Sequence, residues 1–73
     1  MIEVRLFATL RNNREKILSL DATACPDGMA ILDQLAIPKE DVAIFLINGI
    51  HSKLDDPINE GDIIAIFPPV GGG

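Results

Sequence analysis

Val42-Ala43-Ile44-Phe45-Leu46-Ile47 is an unbroken apolar run, followed at once by Asn48-Gly49. The run is short for a helix and rich in β-branched residues, so it reads as a strand. Its continuous apolarity predicts cover on both faces and a place near the centre of a sheet. Asn48-Gly49 supplies a two-residue turn, with glycine providing a positive φ, and leads into a weak strand around His51 to Leu54. On the N-terminal side, Pro26-Asp27-Gly28 precedes a segment in which Ile31, Leu32 and Leu35 fall on one helical face. Asp27 is placed to cap that helix, which must end before Pro38. Gly28 weakens the first turn, because glycine gives up more backbone freedom than other residues on entering a helix.

The flanks supply the remaining strands. Ile2 to Phe7 alternates apolar and polar, as a strand with one buried face does. The polar stretch Arg11 to Lys16 has turn composition, and Ile17-Leu18-Ser19-Leu20 then gives a second strand, close enough to pair with the first as a hairpin. Asp55 to Asp62 is a polar loop bent by Pro57 and Gly61. Ile63 to Phe67 is the last strand, halted by Pro68-Pro69, which offer no backbone donors. The order β-β-α-β-β-β predicts an α+β domain in which about five strands pack on one helix, with the third long strand joining the first pair through the helical connection.

Composition bounds the function. The chain has 73 residues, enough for one domain with a small core. Six Lys and Arg against eleven Asp and Glu give a net charge of −5. That balance argues against nucleic acid, whose phosphates bind through Lys and Arg, and disfavours an acidic protein partner. One cysteine cannot form an internal disulfide, no charged-then-apolar signal segment opens the chain, and no apolar run approaches the ~20 residues that span a bilayer. A cytoplasmic protein without a membrane segment is expected.

The ending Phe67-Pro68-Pro69-Val70-Gly71-Gly72-Gly73 carries the chemistry. Residues 1–67 are expected to form the domain and 68–73 a flexible arm, reaching at most roughly 20 Å when extended. The prolines hold the root of the arm extended, and the glycines have no side chains to obstruct a narrow channel. The group at the tip is the Gly73 carboxylate, a poor electrophile until it is transferred to the phosphate of ATP, when a sulfur or amine nucleophile can displace the adenylate. The sequence has no phosphate-binding glycine loop and no nucleophile–base pair for that step. The arm is therefore expected to be a substrate presented to enzymes.

Leu6-Phe7-Ala8-Thr9-Leu10-Arg11, Phe45-Leu46-Ile47-Asn48-Gly49, Glu60-Gly61-Asp62 and the FPPVGGG ending together resemble the MoaD family, the small subunits of molybdopterin synthase within the MoaD/ThiS ubiquitin-like sulfur carriers. The resemblance spans nearly the whole chain. It implies the ubiquitin-like β-grasp fold with a mixed sheet, and a non-catalytic subunit without a cofactor or metal of its own. By the same resemblance Gly73 is adenylated by a MoeB-like enzyme and converted to a thiocarboxylate through a sulfur-transfer protein. Pro68, Pro69, Val70, Gly71, Gly72 and Gly73 would enter the active site of a MoaE-like large subunit, in a heterotetramer, where the sulfur builds the dithiolene of molybdopterin. Arg11, Phe7 and Phe67 are docking candidates. The thiazole carrier ThiS shares the tail chemistry but usually lacks the Phe-Pro-Pro lead-in; another thiolation route, or attachment to lysine as a protein modifier, remains an alternative. The short helical region, which starts at Cys25-Pro26-Asp27-Gly28, departs from many family members.

Other reactive residue types have plainer readings. Cys25 near a helix start is a packing residue before it is a nucleophile, since no His or second Cys lies near it in sequence. His51 with Asp55 or Asp56 does not make a recognisable metal-ligand spacing. Asp55, Asp56, Glu60 and Asp62 read as a solvated loop with turn chemistry, and secondarily as a patch steering a basic partner. Arg11, Arg14 and Lys16 form the one basic cluster, equally consistent with a docking surface and with a solvated loop.

Overall fold

A computed structural model describes residues 1–69. Val70, Gly71, Gly72 and Gly73, to which the sequence assigns the tip of the arm, lie outside the described residues. Five strands form one sheet: β1 (Ile2–Leu6), β2 (Ile17–Leu20), β3 (Ile44–Ile47), β4 (Ile50–His51) and β5 (Ile63–Phe67), in the order β2-β1-β5-β3-β4. β1 and β5 run parallel, with Val4 beside Ile64 and Leu6 beside Ile66, and every other pairing is antiparallel. The α-helix α1 (Gly28–Leu35) supplies the second layer.

The core follows from the strand period. Ile2, Val4 and Leu6 of β1 alternate inward and are buried, as are Ile64 and Ile66 of β5. They share one cluster with Ile31 and Leu32 of α1, Phe45 of β3, and Leu10, Cys25, Ile37 and Ile58 from the connections. The expected β1–β2 hairpin forms with Ile2 opposite Leu20 and Arg5 opposite Ile17. Asn48 and Gly49 have φ of 52° and 81°, the pair of positive values that a two-residue hairpin turn requires.

Two expectations are corrected. The Val42–Ile47 run does lie near the centre, beside the middle strand β5, but its strand begins at Ile44 and only one of its faces is covered. Phe45 points into the core and is 5% exposed, whereas its neighbour Ile44 is 38% exposed on the side of the sheet that no helix covers. Apolarity on both faces here does not mean burial on both faces. The fourth strand is Ile50–His51 instead of His51 to Leu54. It stops because Lys53 to Asp56 closes a turn, the Lys53 amide donating to Asp56 Oδ2 at 2.8 Å and the Asp56 amide to the Lys53 carbonyl at 3.1 Å.

Each end of α1 is secured locally. Asp27 accepts from the Ala30 amide at 3.0 Å, as a capping residue should. At the other end Ala36 adopts the left-handed conformation and the Ile37 amide returns to the Leu32 carbonyl at 2.9 Å. Arg14 adds a contact invisible in the sequence: Nε donates to the Leu35 carbonyl at 3.3 Å and one terminal nitrogen to the Ala36 carbonyl at 3.2 Å. A cation on the last carbonyls of a helix offsets its dipole, so Arg14 belongs to the fold before it belongs to any docking cluster. Gly28 has a steric reason of its own, since a Cβ there would lie 2.6 Å from Phe45 Cζ and 3.1 Å from Leu54 Cδ2.

The Asp27 cap yields the first prediction. Asp27→Ala leaves the Ala30 amide without its acceptor and should cost about 1 kcal/mol, lowering Tm by about 4–8 °C in a domain of this size. Thermal unfolding followed by circular dichroism measures this; a Tm within about 1 °C of the parent would show that the cap contributes nothing.

Candidate functional site

The uncovered face of the sheet is built from the positions that alternate with the core. From β1 it takes Glu3 and Arg5, from β5 Ile63, Ala65 and Phe67, and from β3 Ile44 and Leu46. The register sets Ile44 opposite Phe67 and Leu46 opposite Ala65, so apolar side chains adjoin across β3 and β5. Ile44 and Ile63 are each more than a third exposed, and Ile17 of β2 is half exposed at the far side. Contiguous apolar surface of this kind on a small domain marks an interaction site.

At the end where the chain leaves β5, three of the sequence-predicted residues come together. The rings of Phe7 and Phe67 stack with centroids 4.1 Å apart and planes 9° from parallel. The Phe7 amide donates to the Ile66 carbonyl at 3.2 Å, which extends the β1–β5 pairing to the root of the arm. Arg11, the first residue of the stretch expected to turn, ends a 3-10 turn, Ala8–Arg11, that the sequence did not announce. Its Nε donates to the Leu6 carbonyl at 2.9 Å and its guanidinium carbon stands 5.5 Å from the Phe7 ring centroid. Phe67, Phe7 and Arg11 thus form a continuous stack beside Pro68 and Pro69. Pro68 is half-buried and Pro69 exposed, while Val70, Gly71, Gly72 and Gly73 fall outside the described residues.

Phe45, the remaining aromatic residue, belongs to the core. Ile44, Leu46, Ile63 and Ala65 were not singled out in the sequence. Their signal was present as alternate positions of the two apolar runs, but the partner strand and register were needed to put them on one face.

The other reactive residue types lie away from this stack. Cys25 is buried, its thiol donates to Gln34 Oε1 at 3.1 Å, and burial, with a smaller effect from Asp21, pushes its pKa up, away from the thiolate that reacts. His51 is exposed on β4, and among the described residues no three His, Cys, Asp or Glu side chains gather as metal ligands. No helix among the described residues is long and apolar enough to cross a membrane.

The acidic loop is tied to the β3–β4 turn. Asp62 Oδ2 accepts from the Asn59 amide at 2.8 Å and Oδ1 from Asn48 Nδ2 at 2.9 Å, while Asn48 Oδ1 accepts from the Ile63 amide at 2.9 Å. These bonds, the Asn59 amide foremost, hold the Asp62 carboxyl below its ordinary pKa of 3.8. The Thr23 amide and then the Thr23 hydroxyl do the same for Asp21. Both carboxylates are lowered by folding, so their contribution is complete above the ordinary value and disappears as pH falls through the lowered ones. Denaturation midpoints should therefore be independent of these two groups near neutral pH and decline below 3.8. Asp62→Asn should flatten part of that decline, and an unchanged acid limb in urea titrations of the variant would count against the assignment.

Comparison with known proteins resolves the wider relationship. The model of the ThiS family matches residues 4–73. The chain belongs to the ThiS family. No curated protein sequence matches it significantly. Among solved structures, SAMP1 from Haloferax volcanii is 26% identical with a TM-score of 0.75, covering 99% of this chain and 98% of its own. A complex of subunits 1 and 2 of the molybdopterin-converting factor from Helicobacter pylori 26695 contains a chain 29% identical, with a TM-score of 0.64 and coverage of 99% and 97%. A putative molybdopterin converting factor subunit 1 from Pyrococcus furiosus, 19% identical at TM-score 0.64 over 94% of this chain and 97% of its own, shares the fold. The ThiS-family chain therefore has the ubiquitin-like β-grasp fold, as its sequence resemblance implied. It is one of the small ThiS/MoaD ubiquitin-like sulfur carriers, which are generally non-catalytic.

Proposed function

We propose that this chain is the sulfur-carrying small subunit of a molybdopterin synthase, with the carboxyl group of Gly73 as its working group and residues 68–73 as the arm that presents it. The observation that carries the reading is an apolar open face ending in the Phe7–Phe67 stack at the root of Pro68-Pro69, in a chain whose family match runs on to residue 73. The open face docks and the arm delivers.

The chemistry divides between the chain and its partners. A MoeB-like enzyme transfers the Gly73 carboxylate to the α-phosphate of ATP, releasing pyrophosphate, and persulfide sulfur from a transfer protein attacks the acyl carbon and displaces AMP, the resulting acyl disulfide being cleaved by a thiol reductant to leave a thiocarboxylate. This chain supplies the acyl group and the docking face, with Phe7, Arg11 and Phe67 where that face meets the root of the arm, and contributes no catalytic side chain. The slim arm then enters a MoaE-like large subunit, which uses the sulfur to build the dithiolene, in a cytoplasmic heterotetramer. The similarity to a chain from a complex of both converting-factor subunits supports this assembly.

The second reading, a protein modifier joined to lysine through Gly73, is favoured by the higher TM-score to SAMP1, a structure also described as a small archaeal modifier protein. The two part after adenylation. Incubation with a MoeB-like enzyme, ATP and a sulfur donor should raise the intact mass by about 16 Da, sulfur for oxygen. Addition of a MoaE-like subunit and pterin precursor should then form dithiolene product and restore the original mass. Recovery of the terminus in isopeptide linkage would select the modifier, and delivery of sulfur only to a thiazole synthase would select the thiazole pathway.

A further inference from the structure

The chain carries only six Lys and Arg, and three of them line one pocket at the corner of the open face. Arg5, Leu6, Phe7, Arg11, Lys16 and Ile17 enclose about 220 Å3 there, next to the Phe7–Phe67 stack. Resting on the carrier reading above, we infer that this pocket receives a carboxylate side chain that the activating enzyme carries beside an apolar patch. The apolar patch covers Ile44, Leu46, Ala65 and Phe67 while the carboxylate enters the corner.

The geometry of Arg11 favours such a ligand. Its Nε is held by the Leu6 carbonyl and its guanidinium carbon stands over the Phe7 ring, 5.5 Å from the centroid, which positions the guanidinium before any partner arrives and leaves its terminal nitrogens for a carboxylate. Arg5 pairs with Glu3, but among the described residues no carboxylate pairs with Arg11 or Lys16. The apolar walls Phe7 and Ile17 lower the local dielectric and strengthen the attraction. Net charge alone predicts that an acidic surface is repelled by this chain. Screening over ~8 Å at physiological salt confines that repulsion, so a carboxylate inside the corner meets chiefly the cations that line it. Acidic overall and cationic at one point, the molecule can fix the register of a partner that its total charge would turn away.

The test is ATP–pyrophosphate exchange by the MoeB-like enzyme with the full chain as substrate, read as KM for the chain against kcat. Lys16→Glu and Arg11→Ala should each raise KM by about tenfold and alter kcat by less than about twofold, and Arg11→Lys, which keeps charge but loses the fork, should raise KM by about threefold. Raising ionic strength should raise KM of the parent, and less so for Lys16→Glu. Lys39→Glu and Lys53→Glu change the net charge equally but lie outside the pocket, and should leave KM unchanged. An equal rise for Lys16→Glu and Lys39→Glu would overturn the inference by making net charge the cause, and unchanged KM in Lys16→Glu and Arg11→Ala would overturn it outright. A shift of the Arg11 Nε resonance on removal of residues 70–73 would give the pocket to the chain's own terminus and overturn it too. No exchange with the parent chain would defeat the carrier reading, and the inference with it, whereas normal exchange by all variants defeats the pocket alone.

Discussion

Removal of Gly73, or addition of one residue after it, is expected to lower pyrophosphate release with a MoeB-like enzyme by at least about two orders of magnitude, while the domain melts at its original temperature. On the proposed function the reacting atom is an oxygen of the terminal carboxylate, which attacks the α-phosphorus of ATP as pyrophosphate leaves. One residue more or less displaces it by roughly 3.3–3.6 Å, and misplacement by even ~1 Å costs about a hundredfold in a reaction that depends on alignment. The fold should not register the change, because β5 ends at Phe67 and the buried side chains lie at or before Ile66. Pyrophosphate release and thermal melts on the same samples separate the two effects. Undiminished turnover by either variant would take the terminus out of the chemistry and with it the proposed function.

The second large effect is structural. Gly28→Val should destabilise the domain by about 3 kcal/mol or more, in a chain whose whole stability is on the order of 4–11 kcal/mol. Even a Cβ at Gly28 falls 2.6 Å from the Phe45 ring and 3.0 Å from a second atom of it, and that ring is buried in the core, where close packing resists displacement. Valine adds two further methyl groups at the same point. Gly28→Ala should cost less, because alanine regains up to about 1 kcal/mol of helix propensity. Urea denaturation of the pair measures the difference, and a valine variant with the parent midpoint would mean that α1 does not lie so close to β3.

Gly28 also shows where the sequence was legible and where it was not. In the one-dimensional reading it was a weak residue at a helix start, since propensity sees only the backbone; the close approach of β3, which makes glycine necessary, exists only after folding. Asp27, Asn48-Gly49 and Ile17–Leu20 were readable because capping, a tight turn and strand alternation are each decided within a few residues. Val42–Ile47 misled for an instructive reason. Its residues are apolar on both sides, one side for the core and the other for the open face, and hydropathy does not distinguish a covering helix from a surface awaiting a partner. Phe7, Phe67 and Arg11 were foreseen as separate candidates: Arg11 meets Phe7 through the local 3-10 turn, but Phe7 and Phe67, sixty residues apart, meet only through the parallel β1–β5 pairing. Arg14 reaches the end of α1 across a shorter gap of about twenty residues, which no local pattern announces either.

The β1–β5 pairing bears on how the molecule comes into being during synthesis. The middle strand of the sheet is the last to be translated, and its neighbours on both sides, β1 and β3, wait for it. Before Ile63 to Phe67 leave the ribosome, the early hairpin and the late strands have no ladder joining them, and contacts of such long sequence separation form slowly. A chain interrupted before this point lacks both its central strand and everything that follows Phe67. Interruption before Ile63 therefore leaves β1 and β3 without the strand that joins them, and such a product has neither a finished open face nor residues 68–73, whereas loss of residues beyond Phe67 leaves the sheet complete.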